Sequence, residues 1–116
     1  MRIRQLRKEL TIRLNGKRIN HYRDFIRVME KKLLFPRSCD GHIDRYFDWM
    51  CDLSWLKACK ITFVIRHFSA FAAANMADAE QVVCDFEEVI IPFWRDEVVN
   101  CVVDGEPKEI VLVVEP

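Results

Sequence analysis

Four aspartates recur at a fixed interval near the middle of the chain: Asp40, Asp44, Asp48 and Asp52. On an α-helix, residues four apart lie on the same side. Asp44, Asp48 and Asp52 therefore form a stripe, with Asp40 at or just before the helix start. The apolar set Ile43, Phe47 and Met50 points elsewhere, toward a core. Like charges at this spacing destabilise an isolated helix by roughly 0.2–0.5 kcal/mol per pair. Only the residues nearest the N-terminus recover part of that from the helix dipole. Helix formation alone does not account for the stripe, and two readings do. In one, the carboxylates meet a cationic cleft, engage Arg and Lys groups as phosphates would, and steer encounter with a basic partner. In the other, the stripe is a solvated face neutralised by the chain's own basic first helix.

Other chemistry is thinly represented. Cys39, Asp40 and His42 share one loop, but three mixed ligands at that spacing do not make a zinc pattern. No metal or cofactor is expected. The five cysteines are odd in number and none is at C-x-x-C spacing. That suggests reduced, small apolar residues, not a disulfide framework. Asp44 and Asp48 resemble an acid–base carboxylate pair, yet no second region supplies converging polar groups. No Gly-rich phosphate loop, zinc-protease helix or nucleophile motif is present. An enzyme is not expected. His42 fits an interface donor, a helix-start residue, a pH-sensitive contact or a merely exposed histidine, and His21 and His67 read as structural. Trp49 and Trp55 fit surface anchors and core residues equally well.

The elements that carry these residues follow from periodicity. Residues 10–14 alternate as a half-buried strand, and Asn15-Gly16 marks a turn. Tyr22, Phe25, Ile26, Met29, Leu33 and Leu34 set a helix over 22–34, ended by Pro36. Residues 42–52 form the short helix of the stripe. The β-rich run 61–65 reads as a strand covered on both faces. A long helix is expected over 77–91, with Pro92 stopping or bending it. Residues 98–103 and 109–114 then flank a turn at 104–108, a hairpin signal. Strands separated by helices favour a parallel sheet. The fold class is thus α/β: a small, mostly parallel sheet packed by three main helices, with an extra C-terminal hairpin strand.

At 116 residues the chain has the size of one domain, with residues 1–9 as a basic arm. No 18-residue apolar run is present, and the start lacks the apolar stretch of a secretory signal, so a cytoplasmic protein is expected. The net charge of zero hides an asymmetry. Residues 1–37 carry 12 bases against 3 acids, a balance of +9, and the remainder carries 6 against 15, a balance of −9. Such asymmetry marks a partner surface, internal salt-bridging, or both. A nucleic-acid partner is disfavoured, because no recognised module is present and the acidic half would repel the polymer.

Several short segments follow one another in order: Asn15-Gly16 with Ile19, Asp24-Phe25, Phe35-Pro36, the run from Ile43 to Met50, Asp52-Leu53-Ser54-Trp55 and Phe86-Glu87-Glu88. Their order and spacing make the chain resemble the barstar-like family of ribonuclease inhibitors. The likeness covers about Leu10 to Val114. It implies a three-layer arrangement around a small parallel sheet. It also implies inhibition by plugging, in which the second helix and its preceding loop occupy the phosphate positions of a nuclease. Asp44 and Asp48 match the family's two helix aspartates, the second of which meets the nuclease's catalytic cations. Glu88 matches a glutamate that contacts an arginine on a guide loop of the nuclease. The partner-facing set is then Asp40, His42, Asp44, Phe47, Asp48, Asp52 and Glu88. Phe47 stands where a tryptophan is usual, and its spacing also suits the core.

The loop Arg37-Ser38-Cys39-Asp40-Gly41-His42 departs from the family's, having lost both aromatics, and residues 92–108 resemble an insertion. The expected activity is that of an immunity protein, monomeric and in a 1:1 complex with a basic toxin of the ribonuclease type. The alternative is a non-catalytic adaptor with oppositely charged faces for protein or RNA.

Overall fold

The computed structural model of the chain describes residues 8–97 and 108–116. Three strands form its sheet: β1 (Glu9–Asn15), β2 (Lys60–Arg66) and β3 (Glu109–Val114). All run parallel, in the order β1-β2-β3. Parallel neighbours need long crossovers. The first holds α1 (Tyr22–Lys32) and α2 (Ile43–Met50), and the second holds α3 (Phe68–Ala74) and α4 (Met76–Asp85). The expected C-terminal strand is β3. Its hairpin partner at 98–103 lies outside the described residues, as do residues 1–7 of the basic arm. Glu9, assigned to that arm, is instead the first residue of β1.

The strands bury one face against the helices. Ile12 pairs with Phe63, Leu14 with Ile65, and Ile61 with Ile110, and all six side chains are buried in the core. Residues of opposite parity, Thr11, Arg13, Thr62, Val111 and Val113, are half-buried or exposed. Among the described residues this is a two-layer α/β arrangement, where three layers and a doubly covered β2 were expected. The continuous apolar run 61–65 misleads because Val64 is shielded without joining the core cluster, flanked in register by Arg13 and Val113. The core is aromatic at its centre. Phe86 packs on Phe63 at 5.2 Å and on Phe25 at 6.5 Å between ring centroids, contacts worth about 0.5–1.5 kcal/mol each beyond burial.

Gly16 shows why Asn15-Gly16 ends β1. A Cβ there would lie 2.3 Å from the His67 carbonyl oxygen and 2.8 Å from that of Arg66. Only glycine lets the exits of β1 and β2 touch. The dipeptide opens a short 3-10 turn (Gly16–Arg18), capped by the Asn15 side chain, which accepts from the Lys17 N–H at 3.0 Å.

Of the two outcomes expected at Pro92, a stop is not what the structure shows: the helical path runs on past it. Beyond α4 the chain continues through two π-helical turns, Phe86–Ile90 and Phe93–Glu97, one on each side of the proline. A wider turn before Pro92 moves the carbonyl its ring would strike and absorbs its missing N–H. The helix α3 had no counterpart in the periodicity. Its sequence FSAFAAA carries no charged face to contrast with an apolar one.

Candidate partner-binding face

The loop before α2 is tied to α1. Glu30 accepts a hydrogen bond from the Cys39 backbone N–H at 2.8 Å and from the Ser38 hydroxyl at 3.2 Å. Ser38 Oγ in turn accepts from the Asp40 N–H at 3.1 Å. Asp40 and Gly41 take left-handed backbone angles, φ 50° and 76°. Such a turn suits Gly and tolerates Asp. It reverses the chain into His42, the N-cap of α2, whose side chain makes no capping bond. The Cys39 side chain is buried, and burial together with the Glu30 carboxylate pushes its thiol up to about 11.

Beneath α2, Tyr46 and Met50 are fully buried. The Tyr46 ring meets Tyr22 at 5.9 Å and Phe25 at 6.1 Å. Tyr22 in turn donates its hydroxyl to Asp85 on α4 at 2.7 Å and its backbone N–H to Asp78 at 2.8 Å. At the other end the Trp94 indole N–H donates to the Met50 carbonyl at 2.8 Å, buried and 44 residues away in sequence. That bond satisfies a carbonyl the helix end leaves without a partner. Nothing in the spacing of Trp94 indicates this role. Trp55 donates to the Leu33 carbonyl at 2.8 Å and packs edge-on against Trp49 at 5.5 Å and Phe35 at 5.8 Å. Trp55 is thus a half-buried fastening between α1 and the segment after α2.

The outward face carries the stripe. Asp44 and Asp48 are exposed on α2. Asp52 is exposed too, but the helix closes at Met50 and not at 52, so Asp52 sits in the following turn, where it accepts from the Ser54 N–H at 3.2 Å. Ile43, expected to point into the core, is 37% exposed in the first turn, and Tyr46 takes the core position. Phe47 is half-buried against Tyr46, at 5.6 Å. Asp40 pairs with Arg45 at 3.1 Å, both largely exposed, a contact worth at most about 1 kcal/mol. Among the described residues, no cation of α1 forms an ion pair with Asp44, Asp48 or Asp52. A groove of about 440 Å³ beside the stripe is lined by Arg37, Ser38, Arg45, Asp48, Trp49 and Asp52. Trp49 therefore contributes to both core and groove. Glu88 is exposed in the first π-helical turn and does not line this groove.

These features define a class: a small α/β protein on a three-stranded parallel sheet, presenting an acidic helix held from below. The chain matches the family model of Barstar (barnase inhibitor) over residues 9–106, and it belongs to that family. The match opens at the first residue of β1 and closes before β3. No curated protein matches the chain. Among the described residues, no helix is long and apolar enough to cross a membrane.

Proposed function

We propose that the protein is a cytoplasmic immunity protein that inhibits a basic, toxic ribonuclease, with no catalysis of its own. In this reading α2 and the loop 37–42 enter the nuclease active site in a 1:1 complex. The carboxylates of Asp44 and Asp48 take the places of substrate phosphates. Asp52 and His42 border the contact, Asp40 and Phe47 contribute at its edge, and Glu88 makes a separate outlying contact. The observation that carries the reading is the state of the stripe. Among the described residues, Asp44 and Asp48 face solvent without an ion pair, on a helix whose underside, start and end are all fastened. A rigid face pays little conformational entropy on docking, so its interactions go into affinity.

Membership of the barnase-inhibitor family supports the same partner class. Arg37 in the loop and Arg45 on α2 border the groove. They favour a partner whose cationic cleft also carries an acidic residue, since like charges brought together across an interface cost several kcal/mol.

Capture from the source organism tests this, with the wild-type chain and the Asp44→Ala, Asp48→Ala variant as parallel baits. The expected result is one basic protein with ribonuclease activity, held by the wild type and lost from the variant. Equal retention of that protein by both baits contradicts the role given to the stripe.

A further inference from the structure

Apart from Arg37, the cations of the basic N-terminal half have no role in that function, and the fold gathers some of them into one place. A cavity of about 340 Å³ lies where β1 and β2 end, and Arg13, Arg18, Lys32 and Arg66 all line it. These cations come from β1, the 3-10 turn, α1 and β2. No acidic side chain lines the cavity. Of the four, Arg66 alone has an ion pair among the described residues, with Glu115 at 3.7 Å and more than half exposed. The helix dipole explains a lysine in the last turn of α1, but not arginines on the strand and turn that face the same space. Close approach at Gly16 fixes the geometry, because it presses the exit of β1 onto the carbonyls of Arg66 and His67.

We infer that this cavity binds a phosphate group borne on a nucleotide, either a free mononucleotide or one residue of a single-stranded RNA. Three observations carry it. The position is the carboxyl end of two adjacent parallel strands, where side chains of both strands, the turn after β1 and the end of α1 converge. The charge is of one sign, and a concave site of one sign concentrates its field. Three of the four cations are guanidinium groups, whose planar fork matches phosphate oxygens two at a time. The cavity also has an apolar side. Val28 and the half-buried His67 ring offer a surface for a base, and about 340 Å³ falls at the lower end of the range for small-ligand pockets. A space of that size accepts one nucleotide unit.

Amide NMR titration of the full chain tests the inference, with inorganic phosphate, adenosine monophosphate, a single-stranded oligoribonucleotide and polyglutamate as separate probes at low salt. Expected shifts fall on residues 13–18, 28–32 and 66–67. The Arg13→Ala, Lys32→Ala variant, altered only at exposed side chains, should weaken binding at least tenfold and keep its dispersed spectrum. The Asp44→Ala, Asp48→Ala variant should bind the phosphate probes as the wild type does, which separates this site from the acidic face. Equal affinity for mononucleotide and oligomer identifies the free nucleotide as ligand. Affinity that rises with oligomer length, with a salt slope of roughly −0.7 per phosphate contacted, identifies RNA. Polyglutamate binding as tightly as the phosphate probes, shifts elsewhere, shifts unaffected by the Arg13 and Lys32 changes, or none at all overturns it.

Discussion

The acidic face of α2 and the basic cavity at the strand ends carry opposite charge, and they are assembled in opposite ways. The aspartates of the face come from one short segment and are aligned by the helix repeat and the turn after it. The cations of the cavity come from four elements and meet only because β1, α1 and β2 pack together. The face mixes signs at its edge, where Arg37 and Arg45 border the groove, whereas the cavity has no acid in its lining. A net charge of zero thus conceals two surfaces. One is set by local geometry and survives small changes in packing. The other depends on tertiary contacts and is lost when those contacts shift.

Gly16→Ala should separate the two most strongly. The added Cβ meets backbone carbonyls that cannot rotate away, so stability should fall by about 1–3 kcal/mol, read by chemical denaturation. Phosphate shifts at residues 13–18 should disappear while the acidic face still holds its ribonuclease. Loss of both activities together in a folded variant would mean that the regions are not independent.

Trp94→Phe should act in the opposite sense. It leaves the buried Met50 carbonyl without its donor, a loss of about 1–3 kcal/mol. It loosens the end of α2, so ribonuclease affinity should fall while phosphate binding stays unchanged. Titration calorimetry on both ligands checks the split.

The smallest effect concerns the start of α1. Asp24 accepts from the backbone N–H groups of Asn20 at 3.1 Å and His21 at 3.0 Å. Burial is the largest single influence on its carboxyl and acts upward, but these two bonds and His21 together hold it below the ordinary 3.8. A carboxyl lowered on folding adds stability that is complete above its unfolded value and drains as pH falls through the folded one. Asp24→Asn should therefore cost about 1 kcal/mol at neutral pH, and the gap should close below about pH 4. A gap constant down to pH 2 would show that the charge plays no part.

The contrast in assembly also explains what could be read in advance. The strand at 10–14 and the helices at 22–34 and 42–52 are visible from a regular apolar period, and the strands at 61–65 and 109–114 from continuous β-rich runs. The structure shortens or extends them by a few residues at most. The carboxylates share that legibility, as their spacing is itself helical. Asp52 slips out of the helix because Leu53, fully buried with φ 50°, belongs to a turn that the repeat does not signal. The Ala-rich α3, the π-helical turns around Pro92 and the Trp94–Met50 bond leave no periodic trace, since each is decided by packing. The strand-end cavity is invisible for the same reason. Arg13 and Arg66 are far apart in sequence, and only the parallel pairing of β1 with β2 brings them to one end of the sheet.

The decisive measurement is inhibition of the captured ribonuclease by increasing amounts of the wild-type chain and of the Asp44→Ala, Asp48→Ala variant. Truncating one partner of a desolvated charge pair costs about 2–5 kcal/mol, a range informed by the complex of barnase with its inhibitor, a member of this family. The wild type should abolish activity near one equivalent. The variant, equally stable or slightly more so once like charges are removed, should show an inhibition constant at least thirtyfold higher, measured with the nuclease diluted below that constant. Equal inhibition by both proteins, or nuclease left fully active by the wild type, would contradict the account.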